Sequence, residues 1–486
     1  MVNARIAPCV LLISVVAASG VAHAQTTAGD DLRVRVAELE QQVRALTERL
    51  STIAGNGELH AVGDQIEELD QRLRIRDRQD ELRRDAEAER MKAVPAIGAG
   101  REGFQLRSAD GNFVLRLRGL IHSDGRFFAN DEGDAANDTF LMRRVRPIVE
   151  ATMFKNFDVR LVPDFGEGRT VLQDAYLDLR FATPFKVRAG KFKAPFGLER
   201  LASAGEMTFA ERGFPTALAP NRDVGVMAYG DLFGARLSYF VGAFDGVVDG
   251  GSTDVDDRDS KDVVVRLFSH PFRTSKDARL QGLGVGVAAS EGMQRGTLAV
   301  PALAVYRTSG QQTFFRYLSD GTAAGTVLAD GMRRRISAQG YYYAGRLGVL
   351  AEQVRSSQAI RRGVAAGDAN ANAWQIATSW VLTGESASYR GVTPKTAFDP
   401  ANGTWGAFEV TGRYHDLRLA GDLFPTFASP AASAERAQAG AAGLNWYLNR
   451  NVKIVFDYEE THFTGGSVLS DRAAARELIS RLQFSF

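Results

Sequence analysis

The sequence predicts an all-β fold, a 16-stranded antiparallel transmembrane β-barrel preceded by an N-terminal α-helical coiled-coil segment. Three observations predict it. Residues 1–24 read as an export signal, apolar residues between 32 and 73 recur every 3.5 positions, and from about residue 112 the repeat changes to 2 and continues to the C-terminus.

The export signal has Arg5 in a short basic start, an apolar stretch from Ile6 to Ala18, and Ala22-His23-Ala24 as a small-x-small cleavage site. Its apolar stretch is too short to cross a ~30 Å hydrocarbon core as a helix. Cys9, the single cysteine of the 486 residues, leaves with it, so the mature chain holds no thiol. That excludes a disulfide framework and a thiolate zinc cluster. The balance of 59 Lys plus Arg against 58 Asp plus Glu excludes a nucleic-acid binder held by bulk positive charge.

Residues 25–94 form the second domain, a coiled coil and linker expected in the periplasm. Leu32, Val36, Leu39, Val43, Leu46, Leu50 and Ile53 are spaced 4-3-4-3-4-3 with Arg, Glu and Gln between them. Such a seam cannot stay wet on a single helix, so it predicts self-association, the alternative being one amphipathic helix lying on its own domain. Gly55-Asn56-Gly57 interrupts it, and Leu59, Val62, Ile66, Leu69 and Leu73 resume it in shifted phase. Residues 75–92 are dense in charge and read as a solvated helix or linker.

Residues 95–486 form the barrel domain. In "FVLRLRGLIH" one face holds Phe113, Leu115, Leu117 and Ile121, and the other Arg116, Arg118 and His122. "DAYLDLRF" and "NVKIVFDY" alternate in the same way, as strands with one apolar and one charged face do. Sixteen such segments run from 112–122, 140–154 and 157–165 through to 452–463 and 477–486. Short connections such as Lys155-Asn156, Ala182-Thr183-Pro184 and Asn449-Arg450-Asn451 alternate with long ones, the pattern of periplasmic turns and external loops in an outer-membrane barrel. Glu385 to Thr404 breaks it, being too long for a turn. The last strand alternates Leu478, Leu482, Phe484 and terminal Phe486 with Arg481 and Gln483.

A charged side chain on the lipid face costs ~2 to 4 kcal/mol at mid-bilayer, so the charged set of each strand is expected inward. That expectation directs Arg116, Arg118, Arg144, Arg146, Arg160, Arg180, Arg188, Arg236, Arg266, Arg333, Arg335, Arg413 and Arg481 to the lumen, with fewer acids, among them Glu150, Asp158, Asp164, Asp174, Asp178, Glu409 and Asp457. Guanidinium forks suit oxyanions, and serial weak sites permit conduction. The competing reading is a transverse field that orients water without selecting an ion. Arg143 is out of phase with Arg144, and Lys191 and Lys193 with Arg188, so a bulge or strand end is expected at each place.

Enzyme chemistry is not expected. There is no GxSxG or HExxH, and His60, His122, His270, His415 and His462 are scattered. Gly190-Lys191 is not a Walker loop, and the acidic run from Asp254 to Asp262 lacks the glycine of a calcium loop, so neither a cofactor nor a metal is expected.

"DAYLDLR" at 174–180, "GKFKAPFGLE" at 190–199, "ATSWVLTGES" at 377–386, "GAFEVTGRYHDL" at 406–417, "GLNWYLNRNVKIVFDY" at 443–458 and "RLQFSF" at 481–486 resemble the phosphate-selective porin O and P family. "RTSGQQTFF" at 307–315 and "AQGYYYAG" at 338–345 extend the resemblance over the whole barrel. It implies a homotrimer in the bacterial outer membrane, a third external loop folded inward, and a basic ladder conducting phosphate or polyphosphate. It matches Arg143 and Arg144 to a paired arginine, and Lys191 and Lys193 to the family's "GKFK". The strand count assigns the third external loop to residues 194–223. There Arg200, Arg212 and Arg222 are expected to arm a constriction, diluted by Glu199, Glu206 and Glu211. The alternatives are a weakly selective general porin for small anionic or neutral solutes, and an outer-membrane tether acting through the coiled coil.

Overall fold

The computed structural model describes residues 35–49, 59–100, 103–129, 137–255 and 259–486. The export signal, Leu32, Leu50, Ile53 and the glycine-containing break at 55–57 lie outside the described residues. The chain divides into an N-terminal helical unit and a barrel unit starting at Val94.

In the helical unit, residues 35–49 and Leu59–Ala93 are α-helical. The second helix runs through the charge-dense stretch, supported by i,i+4 pairs between Arg72 and Glu68 (2.5 Å) and between Arg74 and Asp70 (2.7 Å). Val36 and Val43 of the seam are exposed on the single chain.

The barrel unit contains sixteen strands: β1 Phe113–Phe128, β2 Thr139–Met153, β3 Phe157–Asp164, β4 Val171–Ala182, β5 Phe185–Lys193, β6 Arg222–Leu232, β7 Leu237–Phe244, β8 Asp262–Ser269, β9 Leu283–Arg295, β10 Leu328–Ala344, β11 Leu347–Arg362, β12 Ala365–Val381, β13 Ala407–Leu419, β14 Ala434–Tyr447, β15 Val452–Gly465 and β16 Ala475–Ser485. Each pairs antiparallel with its neighbour, and β16 closes on β1 from Ser485↔Leu120 to Glu477↔Phe128. Closure pairs the first and last strands with each other, as a lipid-embedded sheet requires. A hairpin of Ala96–Gly100 and Gly103–Arg107 adds to the end of β1 that β16 does not cover, pairing Phe104–Arg107 with Val114–Leu117.

Burial is inverted relative to a water-soluble protein. On β8, Val263, Val265 and Leu267 are 51%, 38% and 43% exposed while Asp262 and Arg266 are 3% and 8%. The apolar face points to lipid and the charged face to the interior. Exposed Phe113, Phe154, Phe181, Phe185, Phe233 and Trp405 ring the short-turn end, as an interfacial aromatic girdle does.

The C-terminus is fixed by glycine. Gly119 and Phe486 exchange two backbone hydrogen bonds of 3.1 Å, and a Cβ at position 119 would lie 2.3 Å from the Phe486 ring. Only a residue without a side chain leaves room for the terminal aromatic, which also makes an edge contact with Phe104.

The connections on either side of β12 depart from the alternation read in the sequence. β11 and β12 meet at the long-loop end through Gly363 and Val364 alone. The connection 382–406 at the short-turn end is folded: Phe398–Asp399 pairs with Thr404–Trp405, and Ala387 and Val392 pack with Val381, Ala407 and Tyr447 at the strand ends. It is long because it carries its own small core.

The wall's lipid face makes a quantitative prediction. Val265→Arg should lower stability by about 2 to 4 kcal/mol in urea unfolding from lipid vesicles. A change below about 0.5 kcal/mol would mean that this face does not contact lipid.

Candidate functional site: an arginine-lined vestibule above an inward loop

Between β5 and β6, residues 194–221 fold into the barrel instead of away from it. Phe192 at the end of β5 and Phe196, Phe214 and Leu218 of the loop are buried in one cluster with Phe244, which draws the loop inward. Just before the loop, Gly190 permits a close approach of the β5 backbone to β4, with φ at +123° and a would-be Cβ 2.3 Å from the Ala175 carbonyl oxygen.

The loop is bound to one side of the barrel by polar contacts to six consecutive strands. Glu352 of β11 accepts from the Leu198 amide (2.7 Å), and Gln375 of β12 donates to Glu199 (2.9 Å). On β13, Arg413 donates to the Glu211 carbonyl (2.8 Å) and His415 Nδ1 accepts from the Phe214 amide (3.1 Å). Asn445 of β14 donates to the Thr208 carbonyl (2.8 Å), Asp457 of β15 accepts from the Ala210 amide (2.6 Å), and Gln483 of β16 donates to the Gly205 carbonyl (2.8 Å). Tyr389, from the folded connection at the opposite end, donates to the Leu198 carbonyl at 2.6 Å. Satisfying buried loop amides and carbonyls in this way is what allows irregular backbone at membrane depth.

Glu211 is the centre of the attachment. It accepts from Arg143 Nε at 2.7 Å, Arg126 Nη2 at 3.1 Å and Arg481 Nη2 at 3.1 Å, with Arg144 at 3.7 Å. Burial opposes its charge, yet Arg143, Arg144 and Arg481 hold this loop carboxyl well below the usual carboxylate range. The register explains the crowding. His122 pairs with Arg144 and Ser123 with Met142, so Arg143 is the extra residue of a β-bulge, which aims two successive arginines at one carboxylate.

Away from β11 to β16, with Glu211 at its edge, lies a cavity of about 540 Å³. Arg143, Arg144, Arg146, Arg169, Arg200, Arg212, Arg222 and Arg307 line it, against Asp164, Glu167, Glu211 and Asp249. Some of these arginines are neutralised: Arg143 by Glu167 and Arg146 by Asp164, both at 2.7 Å, and Arg222 by Asp174 at 3.0 Å. Three are not. Arg200 donates to the Thr216 carbonyl, Arg212 to the carbonyls of Glu199 (3.1 Å) and Ala202 (2.8 Å), and Arg307 to the Thr313 hydroxyl (3.4 Å). Among the described residues none of the three has a carboxylate within ion-pair distance. On the loop, outside the spanning strands, burial and then repulsion from Arg212 and Arg222 lower the Arg200 guanidinium to about 9.

The other residues singled out by the sequence lie elsewhere. Arg116 and Arg118 are near the short-turn end of β1, opposite Glu150. Arg188 is paired with Asp178 (2.6 Å) and lies over the Tyr176 ring. Lys191 is paired with Asp254, and Lys193 donates to the Ala202 carbonyl at 2.7 Å. Both sit at the end of β5, where its alternation stops. Arg266 donates to Gln339 (3.1 Å). Arg333 and Arg335 are sealed against Asp262 (2.8 and 3.3 Å), Arg335 also against Asp249 at 2.6 Å. Two cavity arginines escaped the sequence reading, Arg169 and Arg307. Both are on loops, where strand phase says nothing about direction.

A closed sixteen-stranded barrel with an apolar outer wall, a charged interior and an inward loop is an outer-membrane porin, a channel. The chain belongs to the phosphate-selective porin O and P family, whose profile matches residues 115–486. It is 25% identical over 385 residues to Porin O of Pseudomonas aeruginosa, covering 73% of this chain and 84% of that one. Among solved structures, the outer membrane channel DcaP of Acinetobacter baumannii matches 77% of this chain and 98% of its own at 12% identity and TM-score 0.49. A loop-deletion mutant of OmpT from Vibrio cholerae matches 77% and 100% at 11% identity and TM-score 0.47.

Removing the Glu211 carboxylate takes an acidic partner from Arg126, Arg143 and Arg481 and leaves the buried Arg144 with no carboxylate within ion-pair distance among the described residues. Glu211→Ala should therefore destabilise the barrel by about 3 to 5 kcal/mol in denaturant titration, with open-channel current becoming noisier as the loop loosens. Unchanged stability with a quiet current would mean that the loop is held by other contacts.

Proposed function

We propose that this porin is an anion-selective channel for phosphate, polyphosphate or similar small anions, which pass the vestibule along its arginines. One observation carries the reading: eight arginines face four acidic residues around a single cavity, and three of them, Arg200, Arg212 and Arg307, lack a carboxylate partner among the described residues. A concentrated positive field in a low-dielectric passage raises the local anion concentration. Guanidinium groups engaged by carbonyl or hydroxyl oxygens keep further N–H donors for a tetrahedral oxyanion. On this reading Arg143, Arg144, Arg146 and Arg222 extend the path, and Arg200 and Arg212 form its narrow part on the third loop. Arg333, Arg335 and Arg413, each ion-paired and buried, shape the wall and do not meet the ion.

Asp164, Glu167 and Asp249 on the same lining favour a second reading, a general porin whose transverse field passes anionic and neutral solutes with weak preference. Single-channel recording under a KCl gradient separates the two. The proposal expects an anion-favouring reversal potential and a chloride current reduced by millimolar phosphate. Combined Arg200→Gln, Arg212→Gln and Arg307→Gln should lower the anion-to-cation permeability ratio several-fold. A reversal potential near zero that these changes leave alone supports the general porin, and a cation-favouring one refutes anion selectivity.

The assembly proposed is a homotrimer joined in part by the N-terminal helices, whose seam residues Val36 and Val43 are exposed on one chain. Val43→Cys should give disulfide-linked chains on mild oxidation while Arg44→Cys does not. Equal linkage at both positions would show random collision in place of a seam.

A further inference from the structure

Most of the lipid-facing wall is aliphatic, as Val226, Val241, Val263 and Val265 on β6 to β8 illustrate. The face of β10 to β13 differs. A groove of about 570 Å³ on its outer surface is lined by Arg334, Arg355, Ser357, Asn370, Asn372 and Arg418, and among the described residues no acidic side chain lines it. The register brings these residues together, because Arg355 pairs with Asn372 and Asn372 with Arg418 across neighbouring strands. They share a face with Trp374, Ile376, Trp380, Val410 and Tyr414, all exposed apolar or aromatic residues of the lipid-facing wall.

Their height is set by strand length. Arg334, Arg355 and Arg418 each lie roughly ten residues from the short-turn end of their strand, which at ~3.3 Å per residue and ~40° tilt is ~25 Å, the height of a barrel's apolar band. The groove therefore opens at the external headgroup level, directly above hydrocarbon. Exposed acids balance two of its arginines, Glu291 at 3.1 Å from Arg334 and Glu435 at 3.6 Å from Arg418. Arg355 has no carboxylate within ion-pair distance among the described residues, and its neighbour Asn372 is already engaged by Gln353 at 2.8 Å. Basic forks at this level, next to an apolar surface, complement a ligand whose phosphate sits in the headgroup layer and whose chains run down the wall.

We propose that the groove binds a phosphorylated glycolipid of the outer leaflet, with Arg355 central to the phosphate contact and Arg334 and Arg418 flanking it. The site lies on the opposite side of the wall from the vestibule and does not rest on anion selectivity.

The test uses the full-length, delipidated protein in detergent, titrated by native mass spectrometry with bisphosphorylated lipid A, with its dephosphorylated counterpart and with inorganic phosphate as competitor. The proposal expects the phosphorylated lipid to bind about tenfold or more tightly than the dephosphorylated one. Combined Arg334→Gln, Arg355→Gln and Arg418→Gln should erase that preference while leaving single-channel conductance and oligomeric state unchanged. Arg355→Gln alone, which breaks no ion pair, should reduce the preference several-fold and serves if the triple variant folds poorly. Equal binding of the two lipids, or a preference untouched by Arg355→Gln, overturns the proposal. Competition by inorganic phosphate as strong as by the lipid would make this a site for free anions and overturns the lipid assignment. Loss of the oligomer in the single variant would make the face a contact between copies and overturns it equally.

Discussion

The buried carboxylate of Glu211 is the interaction on which the interior depends. It sits on a loop that the chain must bring back across the barrel, and it meets Arg126 and Arg481 at the β1–β16 closure and Arg143 in the β2 bulge. A single anion thus ties the loop, the closing strands and the bulge together. Each of those arginines would be costly to leave buried alone, and the carboxylate would be too. With the loop pinned against β11 to β16, the open space falls on the opposite side, which is why the vestibule lies where it does.

This division sorts the arginines into two groups. Arg413, Arg481, Arg333 and Arg335 are consumed in ion pairs between strands, and all but Arg333 also hold a loop to the wall. Arg200, Arg212 and Arg307 have no carboxylate within ion-pair distance among the described residues and are engaged by carbonyl or hydroxyl oxygens instead. An inward arginine is therefore not by itself a pore arginine. Its carboxylate partners decide the role, and loops supply many of them.

The fold was legible in the sequence because lipid enforces a strict rule: one face of every strand must be apolar, and a period of 2 sustained sixteen times has few other meanings. The rule lapses where strands rise above the apolar band. "AAGDANAN" at 365–372 turns Ala369 and Ala371 inward and Asp368, Asn370 and Asn372 outward, the reverse of a lipid-embedded strand, yet it extends β12 upward and leaves only Gly363 and Val364 to join it to β11. The bulge at Arg143 was readable from two adjacent arginines competing for one phase. The site was legible only in part. Alternation assigns Arg146 to the interior, but Asp249, which seals Arg335, and Arg169 and Arg307, which line the cavity, sit on loops where direction follows from tertiary packing. The folded connection between β12 and β13 was opaque for a related reason, since its apolar residues pack on strand ends distant in sequence.

The central claim is that the ion's route follows the side of the lumen left free by the Glu211-anchored loop. Cysteine mapping tests it directly, because the sequence's only thiol is Cys9, outside the barrel. Single cysteines at Arg146, Arg307, Arg333 and Arg413 would be exposed to an anionic methanethiosulfonate reagent while current through the full-length channel is recorded. The account predicts rapid modification with a fall in current at positions 146 and 307, and none at 333 and 413. Modification at 333 or 413 as fast as at 146 would contradict it.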